Sequence, residues 1–129
     1  MTDTMTIREM CDTFQVTPRT LRFYEQKELL APLRQGTRRL YTRRDRARLT
    51  LILRGRQFGF SLEAMRQLLD LYDRDGGDAA QIARAADLDR TRLAEMEQQR
   101  AALDRTMAEL REQLAWAEQA LAAHRTDAA

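Results

Sequence analysis

The sequence predicts a mainly α-helical protein, a winged helix-turn-helix head followed by one long dimerisation helix that forms a coiled coil. Three observations predict it. Of 129 residues, 33% are charged, 6% aromatic, and only 5 are Gly and 2 Pro, which suits helices and argues against sandwiches, collagen-like chains and disulfide scaffolds. Apolar residues recur at helical spacing in short segments separated by capping residues. The last part of the chain then carries a heptad repeat unbroken by Gly or Pro.

Several function classes fall away at once. The single cysteine, Cys11, excludes an intramolecular disulfide and a multi-cysteine metal site. The single histidine, His124, has no serine or cysteine partner and no orienting acid placed for nucleophilic catalysis. No apolar run is long enough for a membrane span or a signal-peptide core. A soluble, cytoplasmic, non-enzymatic protein without metal or cofactor is the expectation.

Charge divides the chain. Residues 1–66 carry 14 Lys and Arg against 7 Asp and Glu, a net +7, whereas residues 67–129 carry 8 against 13, a net −5. All the basic residues but Lys27 are arginines, whose planar forks match phosphates and guanine edges. A basic head on an acidic tail points to a polyanion as the partner of the head. A solvated surface of uneven charge is the alternative that charge alone leaves open.

The elements follow in order. Thr6 and Glu9 have capping-box spacing, and Ile7, Met10, Cys11 and Phe14 form one apolar face of a first helix over 6–14. Gln15 and Val16 make a turn. Thr17 is a good N-cap with Pro18 at the first helical position, starting a second helix that reaches about Glu28. Leu21, with either Tyr24 or Glu25, faces inward, and Arg19, Thr20, Arg22, Phe23 and Lys27 face outward. This is a helix-turn-helix. Its second helix cannot bury an arginine on nearly every turn, and it suits a DNA major groove, with its N-terminal N–H groups aimed at a phosphate.

Past Pro32, the stretch LRQGTRRLY over 33–41 has a turn at Gln35-Gly36-Thr37 and then strand-like residues, so it reads as a small hairpin, or wing. Arg34, Arg38 and Arg39 project from it. Thr42 and Asp45 begin a third helix that runs to about Gln57, with Ala47 and Leu51 under a basic surface. Gly59 stops it. Ser61 caps a fourth helix bearing Leu62, Met65, Leu68, Leu69 and Tyr72. Gly76-Gly77 divides a head, 1–75, from a dimerisation helix and tail, 76–129. Asp78 caps the long helix with Gln81 three residues on.

From Leu93 the a positions are Leu93, Arg100, Met107, Leu114 and Leu121, and the d positions are Met96, Leu103, Leu110, Ala117 and His124. Some 46 helical residues would extend roughly 70 Å, more than a core of this size can cover. The apolar stripe needs a partner, most simply a second copy, with a self-folded hairpin as the alternative.

The order of elements resembles the MerR family of bacterial transcription regulators over nearly the whole chain. The resemblance rests on Thr6-Ile-Arg-Glu-Met in the opening helix. It rests also on Val16-Thr-Pro-Arg-Thr-Leu-Arg-Phe-Tyr-Glu25, close to V-[ST]-x-x-T-[LI]-R-[YF]-Y-E, and on Leu29-Leu30-Ala-Pro32. Arg39-Leu40-Tyr41 followed by Asp45, and Gly59-Phe60-Ser61-Leu62-Glu63, complete it. The chain departs from the family in the wing, where Thr37-Arg38 stands in place of G-Y, and at Phe23, where Tyr is common.

The resemblance implies a homodimer held by an antiparallel coiled coil. Each subunit would offer its head to half of a pseudo-palindromic promoter site and distort the DNA for RNA polymerase. It places Arg22 on a base or central phosphate and the Tyr24 hydroxyl on the backbone, beside Thr17, Arg19, Thr20 and Phe23. It puts Arg38, Arg39 and Tyr41 on flanking phosphates. Core packing is the alternative for one of Phe23 and Tyr24. The resemblance further implies that a small-molecule effector, where one exists, binds at the dimer junction, with Trp116 at a heptad c position either lining its pocket or packing on the partner's fourth helix.

Metal-sensing relatives carry cysteines at the dimer helix, and residues 78–129 have none. Cys11 reads as a buried, inert thiol. The run from Thr42 to Tyr72 looks like a subgroup tied to control of acyl-CoA and branched-chain amino-acid breakdown. A second class of function remains, a chaperone- or protein-binding adaptor reusing the same head, and it calls for an acidic or apolar outer face on 19–27 and 34–39, which is basic here.

Overall fold

Capping chemistry sets most of the element boundaries. In a computed structural model, which describes residues 3–73 and 78–128, Thr6 accepts a hydrogen bond from the Glu9 N–H at 3.2 Å while Glu9 accepts from the Thr6 N–H at 2.9 Å. That capping box starts α1 (Ile7–Phe14). Gln15, in the left-handed region at φ 56°, ends it. Thr17 accepts from the Thr20 N–H at 3.1 Å and starts α2 (Pro18–Gln26), with Pro18 where its missing N–H costs nothing. The α1-turn-α2 unit is the expected helix-turn-helix.

Three strands follow the logic of the wing. β1 (Met5–Thr6), β2 (Leu33–Gln35) and β3 (Arg38–Tyr41) form one antiparallel sheet in the order β1-β3-β2, with Met5 opposite Tyr41 and Arg34 opposite Arg39. Gly36, at φ 64°, makes the turn that joins β2 to β3. The hairpin was legible as a turn between two short runs. β1 was not, because two residues carry no alternation to read.

Two further helices close the head. Thr42 and Asp45 make a second capping box for α3 (Arg43–Phe58), and Gly59 ends it at φ 81°. Ser61 accepts from the Ala64 N–H at 3.1 Å ahead of α4 (Leu62–Asp73). Asp78 and Gln81 cap α5 (Ala79–Ala128) reciprocally at 2.9 and 3.0 Å. The break expected at Gly76-Gly77 lies outside the described residues. The described chain falls into two compact units, the first closing at Leu88 and the second opening at Asp89.

The core of the first unit gathers Met10 from α1, Leu21 and Tyr24 from α2, Leu29 and Leu30 from the loop, Tyr41 from β3, Leu49 and Ile52 from α3, and Met65 and Leu69 from α4. The inward face of α3 therefore runs through Asp45, Leu49, Ile52 and Gly55, at i, i+4, i+7 and i+10. Ala47 is exposed and Leu51 only half-buried, contrary to the stripe read from the sequence. A side chain at Gly55 would meet Met65 Cγ at 3.0 Å, so the glycine is what lets α4 lie close to α3.

Asp45 is the one buried charged residue among the described residues. Its carboxylate accepts from the Ala31 N–H at 3.1 Å and from the Thr42 N–H and hydroxyl at 3.2 Å. Thus the capping acid of α3 also holds the chain between α2 and the wing. Charge-assisted bonds of this kind are strong, and their orphaned donors are expensive to leave buried. Asp45→Ala is expected to lower stability by about 2–4 kcal/mol, and Gly55→Val by about 1–3 kcal/mol through overpacking against Met65. Urea unfolding of each variant checks both.

Candidate nucleic-acid interface

The exposed face of α2 is set by its helical period. Leu21 and Tyr24 point into the core, with Tyr24 only 4% exposed, so Arg19, Arg22 and Phe23 point out, Phe23 at 42%. This settles the pair left open by the sequence: Tyr24 is the packed ring and Phe23 the outward one. The ring of Tyr24 packs in the core, and its hydroxyl is not among the buried side-chain atoms left without a partner. The two rings tilt against each other at 5.6 Å, and Lys27 Nζ stands 5.7 Å from the Phe23 centroid, a cation–π contact at an exposed site.

The wing is fastened to α2 by one carboxylate. Glu25 accepts from Arg34 Nη2 and from Arg39 Nε, each at 2.7 Å. Because Arg34 and Arg39 face each other across β2 and β3, Glu25 ties both strands to the helix. Burial works to raise its pKa, but the hydrogen bonds from Arg39 and Arg34 outweigh burial and hold it below the usual 4.5. Arg34 and Arg39 were expected to project freely to phosphates. Their forks instead reach an internal acid, though half of the Arg34 side chain stays open to solvent.

Tyr41 is a plain correction. It was expected beside flanking phosphates, and it is 0% exposed, the largest side chain in the core. Its hydroxyl oxygen has no hydrogen-bond partner among the described residues, and burial, with the nearby Glu25 charge, pushes its pKa upward. A final strand residue next to a capping threonine points inward by the pleat, which the alternation of β3 could have revealed.

What remains at the surface is a cleft of about 250 Å³ lined by Thr6, Ile7, Arg22, Thr37, Arg38 and Arg39. It brings the middle of α2 and the wing turn together around one mouth. Arg19, Arg22 and Arg38 are exposed and hold no ion pair among the described residues. Thr17 and Thr20 bind each other at the N-terminus of α2, with a 3.0 Å contact between hydroxyls.

Four of the six arginines of α3 behave differently. Arg43 and Arg46 pair with Asp3 at 3.1 and 2.9 Å, and Arg44 and Arg48 with Asp73 at 2.9 and 2.6 Å. Arg48 Nε also donates to the Leu29 carbonyl at 2.7 Å. Their work is to join the chain start and α4 to α3. Cys11 is half-buried, and burial, helped by Asp12, pushes its thiol above 9.0, an unreactive setting.

On α5 the heptad residues Leu93, Met96, Leu103, Met107, Leu110, Leu114 and Leu121 are 38–62% exposed, and Trp116 reaches 70%. Ala117 is half-buried. Among the described residues no group of three His, Cys, Asp or Glu side chains is placed to hold a metal. No helix there is long and apolar enough to cross a membrane.

The chain matches the description "MerR HTH family regulatory protein" over residues 5–72 and "MerR, DNA binding" over residues 46–113. The HTH-type transcriptional regulator ZntR of Escherichia coli K12 is 42% identical over 67 residues, 50% of this chain and 48% of that protein. The chain thus spans about half the length of that relative. The regulator CueR of Yersinia pestis is 33% identical over 96 residues, 73% of this chain and 67% of that one. Among solved structures, HiNmlR, a MerR family regulator lacking the sensor domain and bound to promoter DNA, aligns with a TM-score of 0.63 at 25% identity, over 92% of this chain and 94% of its own. PbrR691 of Ralstonia metallidurans CH34, in complex with lead(II), aligns at 0.64 and 30% identity, over 84% and 86%.

Tyr41→Phe removes a buried hydroxyl that has no hydrogen-bond partner among the described residues. It should leave stability unchanged or higher and DNA affinity unchanged, measured by urea unfolding and by binding to a fixed promoter fragment. The Glu25 clamp predicts a pH dependence. A carboxylate with a lowered folded pKa stabilises fully above its unfolded value near 4.5, and that stability is lost as pH falls through the lowered value. Wing amides should lose hydrogen-exchange protection over that acid range, and Glu25→Gln should lack the transition.

Proposed function

The chain belongs to the MerR family of helix-turn-helix regulatory proteins, and on that premise we propose that it is a sequence-specific DNA-binding transcription regulator and not an enzyme. It acts as a homodimer on a pseudo-palindromic promoter site, distorting the duplex for RNA polymerase. The carrying observation is the division among the arginines of the head. Arg43, Arg44, Arg46 and Arg48 of α3 are neutralised by Asp3 and Asp73, and the wing pair Arg34 and Arg39 by Glu25, whereas Arg22 and Arg38, without an ion pair among the described residues, line one cleft, and Arg19 is exposed on the same helix as Arg22. Cations left without internal partners on one face are the electrostatic footprint of a polyanion.

Roles follow from position. Arg22, in the middle of the outward face of α2 and at the mouth of the cleft, is the base or central phosphate reader. Arg19, near the N-terminus of α2, and Arg38, at the wing turn, lie on either side of it and grip the backbone. The N-terminal N–H groups of α2 add a phosphate site. Phe23 offers an apolar face to a base methyl. The similarity to a relative bound to promoter DNA, over 92% of the chain, supports the same use of the head. Bending a duplex costs a few kcal/mol, and the paired heads must supply that energy from these contacts.

Selection of bound fragments from genomic DNA should return inverted repeats. Arg22→Ala is expected to reduce discrimination between that site and scrambled DNA by about 1–3 kcal/mol. Affinity should fall steeply with salt, at a log–log slope of about −4 to −5. A flat salt response with no sequence preference would instead favour the protein-binding adaptor.

A further inference from the structure

We propose that Arg66 is a positioning residue for the DNA-reading face of α2: from α4 it fixes the angle of that helix, and so governs sequence discrimination without touching DNA itself. The inference rests on the DNA-binding function proposed above and adds what aims the helix.

The end of α2 is held in two ways. Backbone donors fill the carbonyls of its last turn. The Lys27 N–H donates to the Phe23 carbonyl at 3.0 Å, the Glu28 N–H to Glu25 at 2.9 Å and the Leu29 N–H to Tyr24 at 2.9 Å, with Glu28 in the left-handed region at φ 62°. Those bonds close the helix, but they are local and leave its direction within the head open. Direction comes from two carbonyls beyond them. Arg66 Nη2 donates to the Lys27 carbonyl at 2.7 Å, across 39 residues of sequence. Arg48 Nε donates to the Leu29 carbonyl at 2.7 Å.

Both bonds refer α2 to α4. Arg66 belongs to α4, and Arg48 is itself gripped at 2.6 Å by Asp73, the last residue of that helix. Asp73 follows Arg66 by about two helical turns, so the two stand along one side of α4. The arginines differ in what else they do. Arg48, with its side chain 11% exposed, joins α3 to α4 through its ion pair, so its loss costs stability whatever it does for α2. Arg66 meets no carboxylate among the described residues, and Lys27, whose carbonyl it takes, lies at the exposed surface. Water would satisfy that carbonyl in the guanidinium's absence. The guanidinium gains a charge-assisted bond and a favourable place at a helix C-terminus, but a long side chain must be ordered to make it. Gain and cost nearly cancel. What the guanidinium adds, and water cannot, is a fixed distance between two helices.

The leverage is large because α2 is short. Its 9 residues span about 13 Å, so a slip of about 1 Å at the Lys27 end turns the axis by about 4°. Arg19, Arg22 and Phe23 face outward from that axis. A guanidinium reads a base edge through paired bonds with narrow limits of distance and angle. Its attraction to the phosphate backbone tolerates far more displacement. Tilting α2 therefore degrades base reading and spares backbone binding.

The test compares Arg66→Ala, Arg66→Met and Arg66→Lys in the full chain, on the inverted-repeat fragment returned by genomic selection and on scrambled DNA of equal length. The alanine and methionine variants should each lose about tenfold in the ratio of the two affinities. Their affinity for scrambled DNA should stay within about twofold of the parent, with the salt slope and the urea midpoint unchanged. Arg66→Lys keeps a donor and should recover most of the ratio. An unchanged ratio in the alanine variant overturns the proposal, as does a lysine variant no better than methionine. Equal weakening on both DNAs with a salt slope smaller by about one makes Arg66 a phosphate contact and also overturns it. A lowered urea midpoint in step with the lost ratio assigns Arg66 to the fold alone, with the same result. A parent chain that does not distinguish the two DNAs removes the DNA-reading function as well.

Discussion

A nine-residue hairpin cannot hold itself in water, and the geometry of this head depends on the carboxylate that holds it. Glu25 leaves α2 one turn beyond Leu21 and takes a guanidinium from each strand of the wing. Beneath it, Tyr41 fills the centre of the core. The wing is thus pinned from above by charge and from below by packing. Its angle to α2, and hence the mouth formed by Arg22, Thr37 and Arg38, is a property of the folded head and exists before any ligand arrives. Preorganisation of this kind avoids an ordering cost at the moment of binding.

The same economy runs through the rest of the first unit. Asp45 caps α3 and holds the loop after α2. Asp73, at the end of α4, gathers two arginines from α3. Asp3 gathers two more. Three carboxylates, Glu25, Asp3 and Asp73, therefore neutralise six arginines, and Arg22 and Arg38 are left at the cleft between α2 and the wing. The net charge of the head, large on paper, is spatially sorted. That sorting turns a basic composition into a directional surface.

The sequence announced what depends on local chemistry. Thr6, Thr17, Thr42, Ser61 and Asp78 each declared a helix start through spacing alone, and Gly59 a stop, because a cap is satisfied by neighbours three or four residues away. What depends on distant partners stayed hidden. Nothing near Arg34 or Arg39 says that their acid lies on another element, so both looked free. Tyr41 looks like a surface hydroxyl in its motif, but the pleat of β3 turns it inward. β1 is two residues long and exists only because β3 lies alongside. Asp45 was legible as a cap, but its bond to Ala31 spans fourteen residues. The outward face of α2 was legible in full except for the choice between Phe23 and Tyr24, which turns on about a hundred degrees of helical rotation.

The near-exclusive use of arginine has a consequence for how such a surface can be controlled. A guanidinium keeps its proton at any pH a cell reaches and offers no amine for acylation. Lys27, beside the Phe23 ring, is the sole acylatable amine on a side chain. The grip proposed for the head on a polyanion therefore cannot be discharged by titration or by the common chemistry of lysine. In the proposed homodimer, turning it down would call for moving the two heads relative to one another, so that their fixed charges no longer fall in step with the turns of a duplex.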